Sequence, residues 1–210
     1  MPPGWSTRSL TPCSIISPDQ VRTGCVRQDD DIARLILING PPGVGKSTIA
    51  RRYLDGHPLT LLIEIDDLRV SLGGWVKHEE SKLLARRLAL ALAGAHLVAG
   101  HDVVVPQFLG RTDFIDALKA ATSTVGSSFS HIVLMDDVTA MVERFEHRRR
   151  QLTASGLAHP QAEVAETDVR AVVAEAVDRL EQMAVVRTDM RVVDMSRELW
   201  RPLRSGPDRP

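Results

Sequence analysis

Aromatic side chains are scarce in this chain: Phe, Trp and Tyr together make up 4% of its 210 residues. That removes the stacking platforms on which proteins hold single-stranded nucleic acid. Cysteine is nearly absent. Cys13 and Cys25 both sit in the N-terminal segment, so neither a disulfide framework nor a metal-ligand spacing is available. Neither sign of charge predominates, with 26 Lys and Arg against 27 Asp and Glu, which argues against nucleic acid or an anionic membrane as the main partner. No run approaches the roughly 20 apolar residues of a membrane span, and the N-terminus lacks the continuous apolar stretch of a secretory signal. These absences predict a cytoplasmic protein with a small ligand, no nucleic-acid partner and no membrane contact. They leave the oligomeric state open.

The chain has length enough for one α/β domain whose core needs no staple. Met1 to Asp31 carries Pro2, Pro3, Pro12, Pro18 and the acidic run Asp29 to Asp31 without periodicity, and reads as a disordered extension over 1–31. The domain proper is expected over 32–196 and a flexible tail over 197–210. Within the domain, β-rich runs alternate with longer helical patterns, the signature of a parallel sheet. Strands are predicted at Arg34 to Asn39, Thr60 to Ile65, Asp102 to Pro106, His131 to Met135 and Arg191 to Val193. Helices are predicted at Lys46 to Leu54, Glu79 to Ala99, Thr112 to Ala121, Val138 to Gln151 and Gln161 to Val185. In the second helix, Leu83, Leu84, Leu88, Ala91, Leu92 and Ala95 recur at three-and-four spacing and predict its buried face, with Lys82, Arg86 and Arg87 on the other.

The first strand runs into Gly40-Pro41-Pro42-Gly43-Val44-Gly45-Lys46-Ser47-Thr48, which satisfies G-x-x-x-x-G-K-[ST] between a strand and a helix. A Gly-rich turn alone does not require the lysine and the hydroxyl at these positions. Gly40 to Thr48 therefore predict a nucleotide triphosphate site, with ATP and Mg2+ as cofactors: backbone amides and a helix N-terminus face the phosphates. Lys46 reaches the β and γ phosphates and the Ser47 hydroxyl ligates the metal.

Ligands of open parallel sheets sit beyond the carboxyl ends of the strands. After the second strand comes Glu64-Ile65-Asp66-Asp67-Leu68-Arg69. A carboxylate here either takes a proton from an acceptor hydroxyl or helps hold magnesium; capping a helix is the structural alternative. Together, GPPGVGKST and IEIDDLR resemble the small P-loop kinases of the chloramphenicol phosphotransferase, zeta-toxin and shikimate-kinase-like group, including proteins described as AAA-type ATPases. The resemblance implies that Asp66 is the catalytic base, and Leu68 agrees with the apolar residue usual at that place. It covers about Leu35 to Asp194 as architecture, with only these two motifs close.

Gln107 and Arg111, after the third strand, and Asp67 are further candidates for the acceptor site, although Arg111 also suits a solvated position before a helix. On the helix after the fourth strand lie Arg144, Arg148, Arg149 and Arg150, followed by a loop with Gly156 and Pro160. The resemblance makes this a lid, about 144–162, whose arginines close over the phosphates. Arg144 and Arg148 share a face at i,i+4 and are the pair expected to act, the others complementing the helix dipole. Asp194 and Ser196, after the last strand, lie where such folds hold the nucleotide base.

A rival reading takes His131 to Asp137 as the apolar-then-acidic motif of motor-type ATPases, with Asp136 and Asp137 serving water activation. Asp136 is equally a helix N-cap, and the chain leaves no room for a separate helical lid domain. A GTPase is disfavoured by the absence of Asn-Lys-x-Asp. The expected fold is an α/β P-loop NTPase with a five-stranded parallel sheet, order 2-3-1-4-5, flanked by helices. The expected activity is transfer of the ATP γ-phosphoryl to a small hydroxyl-bearing acceptor, the alternative being an ATPase or nucleotide-dependent switch without an acceptor.

Overall fold

The computed structural model describes residues 32–156 and 158–195. The N-terminal extension, Ser196 and the tail lie outside the described residues. Strands β1 (Arg34–Asn39), β2 (Leu61–Leu62), β3 (Val103–Pro106), β4 (Ser128–Met135) and β5 (Met190–Asp194) form one sheet in the order β2-β3-β1-β4-β5. Every pairing is parallel. This is the predicted order, and its cause is visible in β1, whose last five residues are all buried. A strand apolar on both faces belongs in the middle of a sheet covered on both sides.

Side chains alternate across a strand, so β1 feeds two cores. Leu35 and Leu37 point with Val103 and Val105 into one cluster, closed by α3 (Ser81–Val98) and α4 (Thr112–Thr124). Ile36 and Ile38 point with Val104 into the other, closed by α1 (Lys46–Gly56), α5 (Val138–Ala154) and α6 (Val169–Val186). Leu35 and Leu37 have no exposed surface, and each contributes roughly 1.5–3 kcal/mol by leaving water. A short helix, α2 (Ile65–Val70), and a 3-10 turn at Trp75–Lys77 bridge β2 and α3.

Four expectations fail. First, α3 stands the other way round: Ala85, Ala89, Ala93 and Leu97 are buried, while Leu83 is 53% exposed, Leu84 and Leu88 42% and Leu92 43%. Alanines at i,i+4 form a narrow ridge that lets the helix lie close on the sheet, where a row of leucines would not fit. Second, β2 is two residues long, because the chain turns at Glu64 and places Asp66 and Asp67 in the first turn of α2, where acids favour the helix N-terminus. Third, α6 starts at Val169; the stretch from Pro160 is turns and a 3-10 turn at Glu166–Asp168, although Val164 still packs on the core. Its apolar periodicity serves a loop, not a helix. Fourth, β4 begins at Ser128, earlier than its apolar pattern, since Ser128 to Ser130 pair with Arg34 to Ile36.

Candidate functional site

The phosphate loop is shaped by what surrounds it. At Gly43 φ is +81°, and an added Cβ would stand 2.1 Å from the Met141 carbonyl oxygen. At Gly40 it would meet the Leu134 oxygen at 2.6 Å. No side chain fits at either place, so the glycines are required by close backbone approach as well as by conformation. Val44 is buried and anchors the loop in the core. Lys46 donates to the carbonyls of Gly40 (2.8 Å) and Pro41 (2.9 Å). Burial lowers its pKa to about 8, and the charge of Arg148 pushes the same way.

The Ser47 hydroxyl donates to Glu64 Oε2 at 3.2 Å, and Arg51 pairs with Glu64 Oε1 at 2.5 Å. Glu64, the N-cap of α2, thus reaches the helix start where a metal-bound triphosphate would lie. Two residues on, Asp66 is held in the first turn of α2. Burial raises its pKa above the ordinary aspartate value, opposed by the neighbouring His159 and Arg69. A cavity of about 350 Å³ brings these groups together. Its floor is Pro42, Gly43 and Gly45 to Thr48 of the loop, with Glu64 and Asp66 beside it; Pro106, Gln107 and Phe108 form one wall, and Arg144, Phe145 and Arg148 of α5 another. Pro160, Gln161, Val164 and Val172 close it.

The predicted lid arginines have different duties. Arg144 donates from Nε to the Gly43 carbonyl at 2.7 Å and from Nη2 to Asp136 at 2.6 Å, so it clamps the loop. Arg148 faces the cavity and makes no ion pair among the described residues. Arg149 pairs with Glu166 and Arg150 with Glu146. Asp136 is therefore Arg144's partner, and the N-cap of α5 is Asp137, which accepts from the Ala140 amide at 3.0 Å. This corrects the assignment of the cap to Asp136.

Of the acceptor candidates, Gln107 lines the cavity, whereas Asp67 and Arg111 do not. Asp67 is exposed, and Arg111 pairs with Asp113 at 3.1 Å on the surface. Asp194 ends β5 beside Met135. Glu64, Asn39, Arg69, His159 and Gln161 were not singled out by pattern. Asn39 is fully buried at the end of β1. Its Oδ1 accepts from the amides of Gly40 (2.8 Å) and Leu109 (2.9 Å), and its Nδ2 donates to the Leu109 carbonyl at 3.0 Å and lies 3.3 Å from His131 Nε2. One side chain thereby ties the phosphate loop to the segment bearing Gln107 and Phe108. The legible signal is a polar residue closing an apolar strand. Arg69, buried under Trp75 with its guanidinium 4.6 Å from the ring centroid, donates to Ser81 Oγ at 3.0 Å. Its signal was its place in IEIDDLR.

Among solved structures, the fold is similar to a gluconokinase from Sinorhizobium meliloti (TM-score 0.50, 18% identity, 80% of this chain and 86% of that one). It is also similar to the PezAT chromosomal toxin-antitoxin system of Streptococcus pneumoniae (TM-score 0.57, 15% identity, 86% and 75%). These likenesses establish a kinase-like P-loop fold. An adenylate kinase of Novosphingobium aromaticivorans is 28% identical over 125 residues, which span 54% of this chain and 58% of that protein. Residues 35–167, from the first buried leucine of β1 to the turn before α6, match the AAA domain family designated AAA_33, and the chain belongs to that family.

Proposed function

We propose that the protein transfers the γ-phosphoryl group of ATP to a hydroxyl of a small molecule. The observation that carries this reading is the sharing of one cavity by Lys46, Ser47 and the half-buried carboxylate of Asp66. Asp136, the acid on which a water-activating ATPase would rely in the rival reading, is engaged by Arg144 and is not among the residues that line the cavity. The adenylate kinase similarity and the gluconokinase-like fold agree with phosphoryl transfer without selecting an acceptor.

In this reading the loop amides and Lys46 hold the β and γ phosphates at the N-terminus of α1. The donor set suits magnesium: the Ser47 hydroxyl and, beside it, the Glu64 carboxylate are hard oxygen ligands at the phosphate end of the cavity. Bound there, the ion would neutralise charge on the phosphate oxygens. Burial makes Asp66 a stronger base. It takes the proton of the acceptor hydroxyl as that oxygen bonds to the γ-phosphorus; the bond to the β–γ bridging oxygen breaks and ADP leaves. Arg148 offsets the charge spread over the transferring group, and Arg144 keeps the loop in place. Pro160 and Gln161 exclude water from the cavity.

The test pairs an acceptor search with one substitution. Incubation with γ-labelled ATP and a small-molecule extract is expected to label an organic product. Asp66→Asn should bind magnesium-ATP within about twofold of wild type yet lose roughly 10² to 10⁴ in transfer. Label recovered only as free phosphate, with Asp66→Asn fully active, would sink the proposal.

A further inference from the structure

The inverted seating of α3 leaves a surface that none of the described residues covers. At about 100° per residue, Leu84, Leu88, Ala91, Leu92, Ala95, Val98 and the following Ala99 fall in one arc of about 120°, and all seven are exposed. Of the polar side chains of the helix only Ser81, buried at its start, shares this arc, and none lies in it between Leu84 and Ala99. The opposite face is already committed to the core through Ala85, Ala89, Ala93 and Leu97. A helix apolar on both faces is usual where both are covered, and a continuous apolar patch on a folded surface commonly marks an interface.

The order of sizes along the arc names the occupant. We propose that it is a second copy of this chain, with the two α3 helices antiparallel about a two-fold axis passing between Ala91 and Leu92. In that register Leu84 meets Ala99 of the second copy, Leu88 meets Ala95 and Leu92 meets Ala91, so every leucine lies over an alanine. Large side chains pack over small ones, which permits close helix approach. A parallel pairing would oppose leucine to leucine and set the two Arg87 side chains side by side. Antiparallel, Arg87 at the rim of the arc comes level with the last turn of the other helix, where the dipole favours a cation. A single helix pair lies at the low end of specific interface areas, so the dimer should be a micromolar one that dissociates on dilution. None of this rests on the proposed reaction.

Sedimentation velocity of the full chain from ~1 to ~100 µM is expected to show a monomer passing to a dimer. Leu88→Glu and Ala95→Leu, both at exposed positions, should each weaken dimerisation at least about tenfold while the melting temperature and magnesium-ATP affinity stay at wild-type values. The paired change Leu88→Ala with Ala95→Leu should restore the dimer, because it exchanges the partners of one contact. A wild-type chain monomeric throughout the range would overturn the proposal, as would a dimer indifferent to Leu88→Glu. Failure of the paired change to restore what Ala95→Leu breaks would overturn the antiparallel register. A monomer whose melting temperature falls by several degrees in Leu88→Glu would mean that the arc is covered within the chain itself, which also overturns it.

Discussion

The two sides of the cavity are made of different materials. On the phosphate side the working surface is backbone, folded round Gly40 and Gly43 where no Cβ fits, with Val44 sunk in the core and Arg144 fastened to the Gly43 carbonyl. On the side proposed for the acceptor it is side chains on three separate segments: Asp66 on α2, Gln107 and Phe108 after β3, and Gln161 before α6. A backbone cradle must be written as a contiguous motif, because each residue shapes the turn for the next. A side-chain wall is assembled by topology, and its members need share nothing in sequence. In the proposed reaction the first side therefore commits the protein to a triphosphate, while the second is free to vary its acceptor.

The sharpest test of this division is Lys46→Ala. Turnover should fall roughly 10³-fold or more, the loss expected when a cation aimed at the transferring phosphates is removed. Near pH 10 stability should hardly change, since burial has depressed the lysine to about 8 and it is already neutral there; toward pH 7 the variant should be the more stable, being free of the cost of a buried charge. The sign follows. Between that value and the usual lysine range the folded state holds fewer protons than the unfolded one, so wild type gains stability as pH rises through this window. Lys46→Ala should lack that gain, which denaturant melts at pH 8 and 10 would show.

Asn39→Leu attacks the join between the two sides. It leaves the Gly40 and Leu109 amides and the Leu109 carbonyl buried without partners, at a cost of about 2–4 kcal/mol. If urea unfolding gave less than about 1 kcal/mol, the two sides would be independent and the comparison would lose its hinge. A related effect lies on the acid side. His131, next to Asn39, is held neutral by burial, with the charge of Arg187 adding, and its pKa is lowered to about 4. The unfolded chain takes up its proton near the ordinary value of 6.5. Stability present above that pH is thus lost as pH falls toward 4, by about 3 kcal/mol. His131→Gln should flatten this acid limb, a change visible in melting temperatures at pH 7 and 4.5.

The same contrast explains what could be read from residues alone. The phosphate loop, the strand order and Asp66 were legible because motif, apolar runs and position after a strand coincide. The seating of α3 was not: leucines and alanines both follow helical spacing, and choosing the buried set requires knowing how close the helix lies to Val103 and Val105. Glu64 and Asn39 were hidden for another reason. Each is an ordinary residue at a strand end, and its importance is the company that folding brings, Ser47 for one and Leu109 for the other.

The smallest predicted effects concern residues that the sequence offered and the fold declined. Arg111 stands on the strand edge that carries Gln107, yet its guanidinium is on the surface with Asp113. Asp67 neighbours the proposed base but faces solvent, one position round α2 from Asp66. An exposed pair such as Arg111 with Asp113 contributes about 0–1 kcal/mol to stability, and Asp67 is itself exposed, so Arg111→Ala and Asp67→Ala should each leave magnesium-ATP affinity and turnover within about twofold of wild type and the melting temperature unchanged. Gln107→Ala, by contrast, should raise the acceptor KM by roughly tenfold, the worth of about one hydrogen bond to a ligand. A tenfold rise in acceptor KM in Arg111→Ala, with nucleotide affinity unchanged, would break the comparison at its weaker side. It would mean that the segment after β3 turns inward when the acceptor binds, and that the acceptor side of the cavity is completed by its ligand rather than held ready for it.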